Sequence, residues 1–95
     1  VETFLSASAI GFYGDRAEES LHEKSEVGQG FLSEVCKAWE DEIFKAEKVF
    51  SGVRVAALRI GIVLGDGGGA LTEMLPPFRD GYGAALGNGR QWMSW

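Results

Sequence analysis

The stretch FLSEVCKAWEDEIFKAEKVF, Phe31 to Phe50, constrains this chain more than any other. Leu32, Val35, Cys36, Trp39, Ile43, Ala46 and Phe50 recur at mostly three- and four-residue intervals, which predicts one apolar stripe on an amphipathic helix. Glu34, Lys37, Glu40, Asp41, Glu42, Lys45, Glu47 and Lys48 fall on the remaining faces, so Glu40 to Glu42 read as a solvated surface. Lys37 with Asp41, and Asp41 with Lys45, stand four apart and support the helix weakly. An apolar stripe of this length must lie on something. An apolar run brackets it on each side, LSASAIGF before and VRVAALRIGIVL after. The order strand, long helix, strand predicts a crossover unit with two parallel strands and a right-handed connection, which places the chain in the α/β class.

The totals narrow the partners. With 95 residues and a formal charge of -5, the chain is one domain at most and lacks the clustered cations that a phosphate backbone requires, so no nucleic-acid partner is expected. One cysteine, Cys36, rules out an internal disulfide framework and fits a reducing cytoplasm. No apolar run approaches the roughly 18 residues of a membrane helix, and the first residues show no basic start with an apolar core behind it. The expectation is a soluble cytoplasmic protein without membrane partners. The sequence opens on Val1 and stops at Trp95 in an aromatic run, and it reads as a segment of a longer chain.

Taken in order, Thr3 to Ser6 is the expected core of the first strand. The change from Phe4 and Leu5 to the small Ser6, Ala7, Ser8 and Ala9 leaves room at the strand's carboxyl end, where open α/β sheets bind ligands. A close-packed turn is the alternative reading. Gly11 to Gly14 breaks the strand. Asp15 to Gly30 carries five acids (Asp15, Glu18, Glu19, Glu23 and Glu26) against Arg16 and Lys24 and reads as a solvated loop, with Gly28 and Gly30 giving flexible entry to the helix. Ser51 and Gly52 form a helix stop. Val53 to Leu64 is nearly unbroken apolar, the pattern of a central parallel strand buried on both faces. Arg59 inside it must find a partner or mark an exit into a polar crevice, and Gly61 permits close approach of a backbone or ligand.

Gly65, Gly67, Gly68 and Gly69 precede a short helix, Ala70 to Leu75, expected to end at Pro76 and Pro77. No Lys or Ser/Thr follows those glycines at phosphate-loop spacing, so a turn or lid is favoured over a phosphate cradle. His22 is the only histidine and reads as surface, so neither a triad nor a histidine-rich metal site is expected. Cys36 lies on the apolar stripe and reads as a small core residue. Ser6, Ser8 and Tyr13 are the hydroxyl groups gathered near a strand end, able to hydrogen-bond a carbonyl or sugar oxygen.

Four blocks carry a resemblance: SASAIGFYG from Ser6, FLSEVCKAWE from Phe31, RIGIVLG from Arg59 and GNGRQWMSW from Gly87. Together they resemble the atypical, epimerase-like short-chain dehydrogenase/reductases of the nucleoside-diphosphate-sugar epimerase type. The resemblance implies a partial Rossmann fold. Residues 1–65 would be the carboxyl half of an NAD(P)-binding domain, and residues 66–95 the start of a substrate-binding part. It implies an oxidoreductase or epimerase using NADP or NAD on a small, nucleotide-sugar-like substrate. By position, Ser8 matches the serine that holds the reacting oxygen, with Tyr13 as a second catalytic candidate. Ser6, Ala7, Arg59, Ile60, Gly61, Ile62 and Val63 match the cofactor side, and Arg90, Gln91 and Trp92 the substrate side. The helix from Phe31 to Phe50 falls where the family builds homodimers. One departure stands out: Leu32 and Cys36 occupy the places of the Tyr-x-x-x-Lys pair, whose ammonium lowers the phenol's pKa. Cofactor binding without turnover, and a packing or oligomerisation role, therefore stand as alternatives.

Overall fold

A computed structural model describes residues 1–95, which divide into two compact units, Val1–Ile60 and Gly61–Trp95. The first unit holds strand β1 (Thr3–Ala9), a 3-10 turn (Ile10–Tyr13), helix α1 (Phe31–Val49) and strand β2 (Arg54–Ile60). The strands pair in parallel, in register from Thr3 opposite Arg54 to Ala9 opposite Ile60. The predicted crossover is thus present, and the architecture is part of a Rossmann-type α/β fold. The first strand runs three residues beyond the expected Ser6 because Ala7, Ser8 and Ala9 keep pairing with Leu58, Arg59 and Ile60. Gly52, at φ +83°, makes the left-handed turn beyond the helix end that its sequence position announced.

Helix α1 is rotated from the face its apolar spacing predicts. Its buried residues are Ser33, Cys36, Glu40 and Ile43, while Leu32, Val35, Trp39 and Phe50 are exposed. The physical reason is that the two polar members of this stripe are themselves buried and hydrogen-bonded. The Ser33 hydroxyl donates to the Gly11 carbonyl (2.9 Å) and reaches the Gln29 carbonyl (3.2 Å). Glu40 meets an arginine. A count of apolar positions cannot register either interaction. The i,i+4 pair Lys37–Asp41 forms at 2.7 Å, but Lys45 turns to Glu42 rather than Asp41.

Strand β2 is shorter than its apolar run and is covered on one face. Val55 is buried and Arg59 points to the same side, toward α1, whereas Leu58 and Ile60 on the opposite face are about half exposed. The expected burial on both faces is not seen, since within the first unit the elements packed on the sheet lie on the α1 side.

In the second unit, helix α2 spans Gly69–Arg79 and passes through Pro76 and Pro77 instead of stopping before them. The carbonyls left without a donor by the prolines are those of Thr72 and Glu73, and both residues are exposed, so water can satisfy them. Further along, the Ile62 N–H donates to the Ser94 carbonyl (2.8 Å), and a Cβ on Gly61 would lie 2.6 Å from that oxygen. Gly61 therefore admits a neighbouring backbone, one of its two predicted uses.

Candidate functional site

Glu40 organises the polar centre of the first unit. Helix α1 turns its carboxylate inward, leaving 5% of the residue exposed, against the point where Ser8 and Arg59 stand opposite one another on the paired strands. Arg59 grips it as a two-pronged fork, Nε to Oε1 and Nη2 to Oε2, each at 2.8 Å. Ser8 donates its hydroxyl to Oε1 at 2.6 Å, a length typical of a charge-assisted bond. The free nitrogen of the fork, Nη1, donates to the Tyr13 hydroxyl (2.9 Å) and to the Glu23 carbonyl (3.2 Å), and Tyr13 donates onward to the His22 carbonyl (3.1 Å). The guanidinium carbon lies 3.6 Å from the centre of the Phe12 ring and 5.0 Å from that of Tyr13. Phe12 and Tyr13 themselves meet edge to face at 5.5 Å.

The electrostatics follow from these contacts. The hydrogen bonds from Arg59 hold the Glu40 carboxyl below the usual carboxylate range; Ser8 and the Arg59 charge add to this, while burial and Asp41 oppose it. Glu40 in turn raises Arg59 above its ordinary value, against the effect of burial. A carboxylate held so low is a poor proton acceptor, and a guanidinium held so high keeps its proton. The pair is therefore a fixed charge clamp rather than an acid/base couple.

The residues predicted from sequence fall into two groups. Ser8, Tyr13 and Arg59 converge on this clamp. Ser6 lies two residues before Ser8 on the same face of β1, and Ala7 lies on the other face, exposed. Ile60 ends β2, whereas Gly61, Ile62 and Val63 begin the second unit. Arg90, Gln91 and Trp92 are also in the second unit, exposed. There the Gln91 amide donates to the Leu86 carbonyl (2.9 Å), and the Arg90 N–H to the Asn88 side chain (3.0 Å). Glu40 was missed in sequence because it lies among charged neighbours; the only signal for it was the unpaired Arg59 in an apolar strand. At the places of the absent Tyr-x-x-x-Lys pair, Leu32 is exposed and Cys36 is buried as a free thiol. No three His, Cys, Asp or Glu side chains converge as a metal site, and no helix is long and apolar enough to cross a membrane.

No family model matches the chain. Over its whole length it is 42% identical to an epimerase family protein of Mycobacterium leprae, of which it covers 30%. It is 47% identical, over 96% of its length, to the chloroplastic epimerase family protein SDR39U1 homolog of Arabidopsis thaliana, of which it covers 25%. The crystal structure of a nucleoside-diphosphate sugar epimerase from Corynebacterium glutamicum superposes with a TM-score of 0.86 at 44% identity, over 99% of this chain and 20% of that one. The chain is thus similar in sequence to proteins named epimerase family proteins and in fold to a nucleoside-diphosphate sugar epimerase. The chain spans less than a third of the length of these relatives.

Proposed function

We propose that residues 1–65 are the carboxyl half of an NAD(P)-binding Rossmann domain and residues 66–95 the start of the substrate-binding part. The whole would be a cytoplasmic NAD(P)-dependent oxidoreductase or epimerase acting on a nucleotide-sugar-type small molecule. The observation that carries this reading is the parallel β1–α1–β2 crossover, matched to a nucleoside-diphosphate sugar epimerase at 44% identity. The carboxyl ends of the strands leave room for a cofactor: Ala7 is small and exposed, Ala9 is partly accessible and Ile60 is exposed, while Arg59 is turned to the other face and held by Glu40. Ser6, Ala7 and the backbone from Arg59 to Val63 would hold it, and when bound it supplies the donor or acceptor of a hydride. Ser8 would hold a reacting oxygen, and Arg90, Gln91 and Trp92 would face the substrate.

A second reading, cofactor binding without turnover, is favoured by a specific observation. The Ser8 proton goes to Glu40 and the Tyr13 proton to the His22 carbonyl, so either hydroxyl donates to a substrate only by giving up its present acceptor. Titration of NADPH and NADH into the intact protein is expected to give saturable binding of one of them; binding of neither overturns the cofactor assignment. Turnover of a nucleotide sugar by the loaded protein, lost in Ser8→Ala, decides for the enzyme, and its absence decides for the second reading.

The outward face of α1, with Phe31, Leu32, Val35 and Trp39, is the surface through which a homodimer would form. Sedimentation of the intact protein at the mass of a dimer is the expected result. A monomer at micromolar concentration removes this part of the proposal.

A further inference from the structure

The acidic stretch between the 3-10 turn and α1 has no helix or strand, yet it is bonded along its length. Near its end the Gly28 N–H donates to the Phe12 carbonyl (2.9 Å), and the Gln29 carbonyl accepts from Ser33 (3.2 Å). Within it, Arg16 pairs with both carboxylate oxygens of Glu19 and donates to the Glu26 carbonyl (3.1 Å). The Ser25 N–H closes a turn on the His22 carbonyl (3.0 Å). Its middle is joined to the sheet and the 3-10 turn through two carbonyls, His22 accepting from Tyr13 and Glu23 accepting from Arg59. This stretch also lines an open cleft of about 430 Å³ with Glu23, Ser25, Glu26 and Val27, and α1 lines it with Lys37, Asp41 and Phe44.

We propose that residues 15–30 form a strap over this cleft and that Glu40, whose hydrogen bonds go to Ser8 and Arg59, sets its closure through Arg59 and Tyr13. Two of the three guanidinium nitrogens are fixed on Glu40, and this orients the third toward the strap. Release of the Glu40 carboxylate frees the fork to turn, and the Glu23 carbonyl then loses its donor. Tyr13 loses its Arg59 bond in the same movement, so both central attachments weaken together. Anything that draws Glu40 away from Arg59, whether a substitution or a ligand entering the cleft, would therefore open the strap. This coupling is independent of any cofactor.

Amide hydrogen exchange in the intact protein tests the proposal, with the strap amides of Glu19, His22, Lys24 and Ser25 read as a ratio to those of β2, so that a global loss of stability cancels. In Glu40→Gln and in Arg59→Lys the ratio is expected to rise by about fivefold, the effect of roughly one lost hydrogen bond. In Tyr13→Phe, which leaves the Glu40–Arg59 fork in place, a smaller rise of about twofold is expected from the His22 attachment alone. If one of the first two variants fails to fold, the other decides, since Tyr13→Phe leaves the Glu40–Arg59 fork in place. A ratio that stays at the wild-type value in every variant that folds overturns the proposal.

Discussion

Replacing Arg59 by Met is expected to destabilise the protein by about 3 to 5 kcal/mol, read as a drop in the denaturant midpoint. The substitution keeps an apolar stem of similar length, so packing against Phe12 is largely retained and the loss isolates the charge. What remains is a carboxylate in a site where 93% of its side-chain surface is covered, holding one hydroxyl donor instead of three donor groups. An unpaired buried charge costs far more than the pair contributes in place. The double variant Arg59→Met with Glu40→Gln should recover a large part of the loss, because the amide is neutral and can still accept from Ser8. Equal destabilisation in the single and double variants would show that packing, not charge, is at stake. The same pair shapes the acid response. Glu40 is depressed in the folded protein, so the unfolded chain takes up its proton first as pH falls. The stabilisation is complete above the ordinary carboxyl value near 4.3 and is lost as pH falls from there through the lowered folded value. In Glu40→Gln this contribution to the acid limb is expected to vanish.

Gly28→Ala is expected to cost about 3 kcal/mol, the upper end for an overpacked site. The added Cβ would stand 2.0 Å from the Tyr13 carbonyl oxygen and 2.7 Å from the Gly14 nitrogen, both backbone atoms. Neither can move without disturbing the turn that presents Phe12 to Arg59, and the bond from Gly28 to the Phe12 carbonyl would be stretched at the same time. Gly65→Ala is the control: its Cβ meets nothing within 4 Å, and the change should stay within about 0.5 kcal/mol. Thermal melting of the two variants separates the cases, and similar midpoints would contradict the close approach at Gly28.

These two residues also show what the amino-acid order discloses. The crossover was legible because it rests on long periodic runs, where burial depends on position along the chain. Arg59 announced a partner, since a cation in an apolar strand cannot be left unpaired, but nothing local said which of Glu40, Asp41 or Glu42 would supply it. The choice depends on the rotation of α1, which polar bonds set against the apolar count: Trp39 stays outside and Glu40 goes in. Gly28 read as a flexible entry because a glycine's neighbours in sequence do not show what backbone will pass it in space. Pro76 and Pro77 read as a stop because a proline lacks the N–H and its ring crowds the i−4 carbonyl; the freed carbonyls here belong to the exposed Thr72 and Glu73, and the helix runs on through them. Residue types gathered Ser8 and Tyr13 near one strand end, the resemblance set Arg59 on the cofactor side, and the geometry supplied the carboxylate that joins Ser8 to Arg59.

The pairing of Ser8 with Arg59 has a bearing on strand alignment. Parallel strands linked by a distant crossover receive no hairpin to fix their mutual offset, and a slip of one position turns every side chain of the moving strand to the other side of the sheet. Such a slip in β2 would send the guanidinium away from α1 and set an alkyl group, Leu58 or Ile60, against the Glu40 carboxylate. The misaligned state would thus bear an orphaned anion. The Glu40–Arg59 pair acts as a proofreading mark that rejects the wrong offset more strongly than it stabilises the right one.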